Sequence, residues 1–180
     1  ILTPGKHPFH EHSTMQLFLA CEGNKVTGRI AAIHNKNHIA FTGQQDGFFG
    51  FFDCINDQDT ANLLLNEAKK WLKERDLHKM VGPTNPTTND VCGILIEGFD
   101  RPPMAMMPYN AAYYDTLLQA YGFVKKTDLL AYEINVSTAN DKSVRMIDAL
   151  ENRLLRSGIV IRNVDLKNKK NEIPKIRDVY

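Results

Sequence analysis

Two clusters of side chains in this 180-residue chain could do chemistry. The first is the stretch GPTNPTTND, residues 82–90, which packs Asn85, Asn89, Asp90 and three threonines between two apolar runs. Pro83 and Pro86 mark it as a turn. So many side-chain hydrogen-bonding groups beside buried segments must either pair with one another or face a ligand. The second is GILIEGF, residues 93–99, which sets Glu97 in an apolar run. Burial there would raise its carboxyl pKa and make it a better base, whereas an outward-facing Glu97 is a solvated edge residue. Asp53, Asp90 and Asp100 are the other candidate bases, and Tyr109, Tyr113 and Tyr114 are candidate proton donors.

Other patterns support weaker chemistry. HPFHEH brings His7, His10 and His12 within six residues, but no second cluster completes a zinc site, so no metal is expected. Cys54 follows an almost wholly apolar run and reads as a buried, inert thiol. PPMAMMP offers three methionines, suited to core packing or to the wall of an acyl tunnel. Three widely spaced cysteines, Cys21, Cys54 and Cys92, argue for a reducing compartment and against a disulfide framework. A net charge of +1 argues against nucleic acid as a partner. The charge is uneven, because residues 141–180 hold ten Lys/Arg against six Asp/Glu. That tail reads as solvated helix faces or as a phosphate- or membrane-facing surface. The chain starts at Ile1, so residues are expected to precede it, and no run of 18 apolar residues occurs.

The elements that must position these groups follow from periodicity. Residues 1–14 look irregular, 15–22 and 26–35 form a hairpin about a GNK turn, and 35–46 read as a polar loop. Residues 47–55, GFFGFFDCI, have the continuous apolar pattern of a buried central strand. An amphipathic helix follows, with Leu64, Ala68, Trp71 and Leu72 on one face and Asp57 or Asp59 as its cap. Further strands are expected at 78–82, 92–99, 128–136 and 159–165, and helices at 111–123, 141–158 and 171–180.

GRIAAI, GFFGFF, GPTNPTTND, EGFD, PPMAMMPYN and YGF, in this order, resemble a bacterial family of two-domain GNAT-like N-acyltransferases. Its members include bacterial ceramide synthases, which transfer a fatty acyl group from acyl-CoA to a sphingoid amine. The resemblance covers about residues 5–136 and, less fully, 141–180. It implies an α/β (α+β) fold with a mixed, mostly antiparallel central sheet flanked by helices and a splayed pair of central strands. It further implies a GNAT-like domain over 1–138, a linker helix over 139–158, and the start of a second, truncated domain over 159–180. The location it implies is cytoplasmic, at most peripheral to the inner membrane.

The same resemblance assigns roles. Acyl-CoA, or acetyl-CoA, would be gripped by Cys54, Ile55, Gln58, Asp59, Thr60, Ala61, Asn62 and Asn110, because helix N-termini suit phosphate. Gln58 matches the family's phosphate-loop pattern, whereas Ala61 and Leu63 stand where small or absent side chains belong. The family's tyrosine general acid falls on Leu118 here, which leaves Tyr113 or Tyr109 as the proton donor. Asn85 and Glu97 join them as catalytic candidates, with Asn89 and Asp90 facing a small-molecule or lipid amine. The alternative is a catalytically inactive GNAT-fold module that binds a ligand or a protein.

Overall fold

A computed structural model describes residues 1–133 and 141–179. The chain divides into two compact units, Ile1–Leu129 and Leu130–Tyr180. In the first unit a short turn of helix, α1 (Phe9–His12), leads into strands β1 (Ser13–Glu22) and β2 (Lys25–Asn35). Helix α2 (Lys36–Thr42), strand β3 (Asp46–Cys54), helix α3 (Gln58–Lys73) and strand β4 (Lys79–Val81) follow. A two-residue hairpin pairs β5 (Thr84–Asn85) with β6 (Val91–Cys92), and helix α4 (Tyr113–Tyr121) closes the unit.

The main sheet has the order β1-β2-β3-β4, antiparallel except for the parallel β3/β4 pair. This is the mixed, mostly antiparallel sheet with flanking helices that the family resemblance implies. Strand β3 is central and buried from Asp46 to Gly50, which explains its lack of alternation. Helix α3 lays Ala61, Leu64, Leu65, Ala68 and Leu72 on one face of the sheet, and α4 adds Leu117 and Leu118 to the same core. Removing one of these leucine side chains costs about 2–5 kcal/mol. Phe9 of α1, Ala31, Ile33 and Phe48 form a smaller core.

Strands β3 and β4 pair only through Asp46–Lys79, Gly47–Met80 and Phe48–Val81. Beyond that point the chain crosses close to β3: a Cβ on Gly50 would collide with the Thr84 carbonyl oxygen. The second glycine of GFFGFF is therefore there for backbone contact. Immediately after it, Phe51 has a φ of 49°, and the β2/β3 register slips between Arg29 and Ala31. This is a bulge, and it turns the end of β3 out of the sheet's regular course.

Several expectations are corrected. The polar loop at 35–46 contains α2, capped by the Asn35 side chain, which accepts from the His38 N–H at 3.2 Å, and ended by left-handed Gly43. Both signals were local and sit too close together to show helical periodicity. Of the strand expected at 92–99 only Cys92 is extended, paired with Val91 against β5. Residues 128–133 hold no strand, and 134–136 lie outside the described residues. In the second unit, helices α5 (Asp141–Arg156) and α6 (Lys169–Val179) are present, but 159–165 hold no strand. There Glu172 receives two bonds from Arg162, at 2.7 and 2.9 Å, and one from Lys175 at 3.1 Å. Those bonds, the Arg162 bonds first, push its carboxyl down to about 2.

Candidate functional site

Polar groups of the first unit converge on the C-terminal end of β3, where Asp53 is exposed and Cys54 is buried. Tyr113 and Tyr114 open α4 and both send their hydroxyls to this end. Tyr113 Oη donates to the Cys54 carbonyl at 2.8 Å. Tyr114 Oη accepts from the Cys54 N–H at 3.2 Å and donates to Asp53 Oδ1. Arg29 of β2 places Nη2 3.6 Å from Asp53 Oδ2. Asp53, Phe99, Tyr109, Asn110, Tyr113 and Tyr114 line a cleft of about 570 Å³ beside these groups.

The electrostatics follow from burial. Tyr114 is buried, and desolvation, with the bond to Asp53 second, moves its phenol well above the ordinary range. Tyr113 is raised as well, by desolvation first and then by Cys54 and Asp53. Burial, followed by the charges of Asp57 and Asp53, pushes the Cys54 thiol up to about 11. At neutral pH these three groups are protonated. The Asp53 side chain is 59% exposed and faces the cleft.

The start of α3 lies just beyond. Asp57 is its N-cap: the carboxylate accepts from Thr60 N at 2.8 Å and from Thr60 Oγ1 at 2.6 Å. Those two bonds, the side-chain one first, hold its carboxyl below the usual range. Gln58 Nε2 donates to Asn62 Oδ1 at 2.9 Å and to the Leu117 carbonyl at 3.2 Å. Ala61 is fully buried against the sheet, while Asp59, Ile55 and Leu63 are exposed. The helix start that the resemblance reserves for phosphate is thus already occupied by a carboxylate of the chain itself.

The remaining predicted residues divide. Asn85 Oδ1 accepts from the Phe51 N–H at 2.6 Å, which ties the GPTN segment to the bulge. Asn110 Oδ1 accepts from Leu95 N at 2.7 Å, and its Nδ2 donates to the Leu95 carbonyl at 3.3 Å and the Ala111 carbonyl at 2.9 Å. It clamps one loop to another while also lining the cleft. Tyr109 stands 60% exposed at the cleft rim. Asp90 is spent locally, accepting from Thr87 N and Oγ1, and Asn89 is exposed with its N–H on Thr87 Oγ1.

Glu97 is a correction. It is exposed on a bend and lies in no strand, so the burial that would have made it a strong base is absent. Leu118 is a core residue. Among the described residues no group of three or more side chains could hold a metal. Sequence reasoning treated Asp53 as one of four candidate bases and Tyr114 as one of three candidate proton donors, and did not bring the two together. The signal that could have singled them out is an aspartate closing an all-apolar central strand and an adjacent tyrosine pair opening a helix.

No family model matches the chain, and no solved structure matches it. Two curated proteins do. It is 32% identical to a protein named bacterial ceramide synthase from Caulobacter vibrioides (strain NA1000 / CB15N), over 99% of this chain and 46% of that protein. It is 30% identical to protein YghO of Escherichia coli (strain K12), over 97% of this chain and 44% of that protein. The chain spans somewhat less than half the length of each of these relatives. No described helix is long and apolar enough to cross a membrane.

Proposed function

We propose that this protein is an N-acyltransferase of the bacterial ceramide synthase kind, which moves an acyl group from acyl-CoA to the amine of a long-chain amino alcohol. The observation that carries this reading is the 32% identity, along nearly the whole chain, to a protein named for that activity. The cleft at the end of β3 supports it, because a protonated phenol, a carboxylate and aromatic walls meet there. In the reaction the amine nitrogen attacks the thioester carbonyl. A C–N bond forms, the tetrahedral intermediate collapses, and the C–S bond breaks. The amine gives up its proton, the CoA thiolate takes one, and the products are an amide and free CoA. We assign Tyr113 as the donor to the thiolate, since burial keeps its hydroxyl protonated and the cleft opens onto it.

The finer parts belong to the same reading. Residues 1–138 form the GNAT-like acyltransferase domain, 139–158 a linker, and 159–180 the start of a second such domain. The protein is cytoplasmic, at most peripheral to the inner membrane. Acyl-CoA phosphates approach the start of α3 near Gln58, where Asp57 opposes them. That opposition, with Leu118 in place of the family's tyrosine, favours a second reading: a non-catalytic module of the same fold.

The test is direct. Purified protein is incubated with acyl-CoA from acetyl to octadecanoyl and with a long-chain amino alcohol, and both free thiol and amide product are measured by mass spectrometry. Amide from long-chain donors is expected. Transfer from acetyl-CoA alone would remove the ceramide-type assignment. Binding of no acyl-CoA at any chain length would leave the non-catalytic module.

A further inference from the structure

We infer that the cleft beside Asp53 is the binding site for the acceptor's ammonium group, with Asp53 as its anchor and Phe99, Tyr109 and Tyr113 as its aromatic walls. This rests on the acyltransferase reading above for the identity of the acceptor, but the site itself stands on geometry.

Three observations carry it. First, β3 is buried from Asp46 to Gly50 and half-buried at Phe51 and Phe52, and Asp53 is its exposed residue, with its carboxylate lining the cleft. Second, that carboxylate is positioned. The Tyr114 hydroxyl accepts from the Cys54 N–H, so its single proton is directed to Asp53. The donated bond fixes the position of the carboxylate. Third, the lining fits a cation carried on an apolar body. A carboxylate supplies the charge, and aromatic faces attract cations while covering alkyl groups.

The charged and titratable groups facing Asp53 agree with this. Arg29 from β2 reaches it at 3.6 Å through one nitrogen, and both side chains are more than half exposed, a weak pair that a ligand cation can share or replace. Cys54 on β3 and Tyr113 and Tyr114 on α4 are protonated at neutral pH and bring no competing charge. Asp57, at the start of α3, adds a second negative charge near Cys54. Asp53 is therefore the group that touches the acceptor, and Tyr114 is a positioning residue that acts through it.

The experiment is isothermal titration of the purified protein with n-octylammonium and, as the neutral control, 1-octanol. The ammonium should bind more tightly than the alcohol by about tenfold or more. Asp53→Asn should weaken the ammonium by about tenfold and leave the alcohol unchanged. Tyr114→Phe keeps the ring, should weaken the ammonium by about threefold, and should leave the affinity for 1-octanol unchanged. Tyr109→Ala removes an exposed ring, which the fold does not need, and should weaken the ammonium by about threefold. Equal affinity of wild type and Asp53→Asn for octylammonium, or octanol binding as tightly as octylammonium, overturns the proposal. Its failure is distinguishable from that of the acyltransferase reading. Ammonium binding at Asp53 with no transfer from any acyl-CoA sinks only the latter. Transfer with an unchanged KM for the amine in Asp53→Asn sinks only the site.

Discussion

Strand β3 carries an aspartate at each end, and the two are in opposite situations. Asp46, at the start, is buried, with His38 Nε2 at 3.5 Å and Lys79 Nζ at 3.6 Å. Asp53, at the finish, is more than half exposed, held by Tyr114 and weakly by Arg29, and opens on a cleft. Asp46 is enclosed by groups of its own chain, with His38 of α2 and Lys79 of β4 at ion-pair distance and no hydrogen bond from the described residues to its Oδ2. Asp53 is fixed in place yet accessible. Identical side chains on one strand thus differ by what covers them: one is enclosed, and the other is open to a ligand. Between them lies the bulge at Phe51, pinned by Asn85.

Breaking the strand between its ends should have the largest effect. Gly50→Ala puts a Cβ into the Thr84 carbonyl, so the GPTN segment has to move, with an expected loss of about 3 kcal/mol or more in urea unfolding. Both ends of β3 should suffer together. Asp46→Ala should separate them. It removes the buried partner of His38 and Lys79 and should cost about 1–3 kcal/mol, while transfer per folded molecule stays unchanged. A drop in turnover at unchanged folded fraction would contradict the division of roles. A smaller effect is expected at the start of α3. Asp57→Ser keeps a capping oxygen and removes the charge, so KM for acyl-CoA should fall by about threefold if phosphate lies there.

The smallest prediction concerns alkaline pH. The Cys54 thiol has an ordinary value of 9.0 and is pushed up to about 11 in the fold. The unfolded chain therefore releases this proton first, so stability is unaffected below about pH 9 and falls as pH rises from there toward 11. Tyr113 and Tyr114, also raised, extend the fall above about pH 10. Midpoints of urea unfolding measured from pH 7 to 10 check this, and Cys54→Ala should flatten the curve between 9 and 10.

Much of the frame was legible in the sequence because its signals are local and periodic. The β1/β2 hairpin, the apolar run of β3 and the stripe of α3 each follow from spacing alone. The hairpin made by GPTNPTTND and the two residues after it did not, since β5 and β6 hold two residues each, too few to show the alternation of a strand. Helix α2 was hidden by its brevity. The site was legible only in pieces. Tyr113, Tyr109 and Asn110 do line the cleft, but Asp53 and Tyr114 meet across 61 positions of sequence, and no pattern in either neighbourhood announces the other. Glu97 was favoured by its apolar neighbours, yet that segment is held by the Asn110 clamp on Leu95 and not by a strand, so Glu97 faces solvent.

The measurement closest to the central claim is acyl transfer by Asp53→Asn, read as kcat/KM for the amine beside a thermal melt of the same preparation. Loss of about tenfold, the size of the lost ammonium binding, with a melting temperature within a few degrees of wild type is the expected result. Wild-type transfer by Asp53→Asn would contradict the placement of the chemistry at this end of β3.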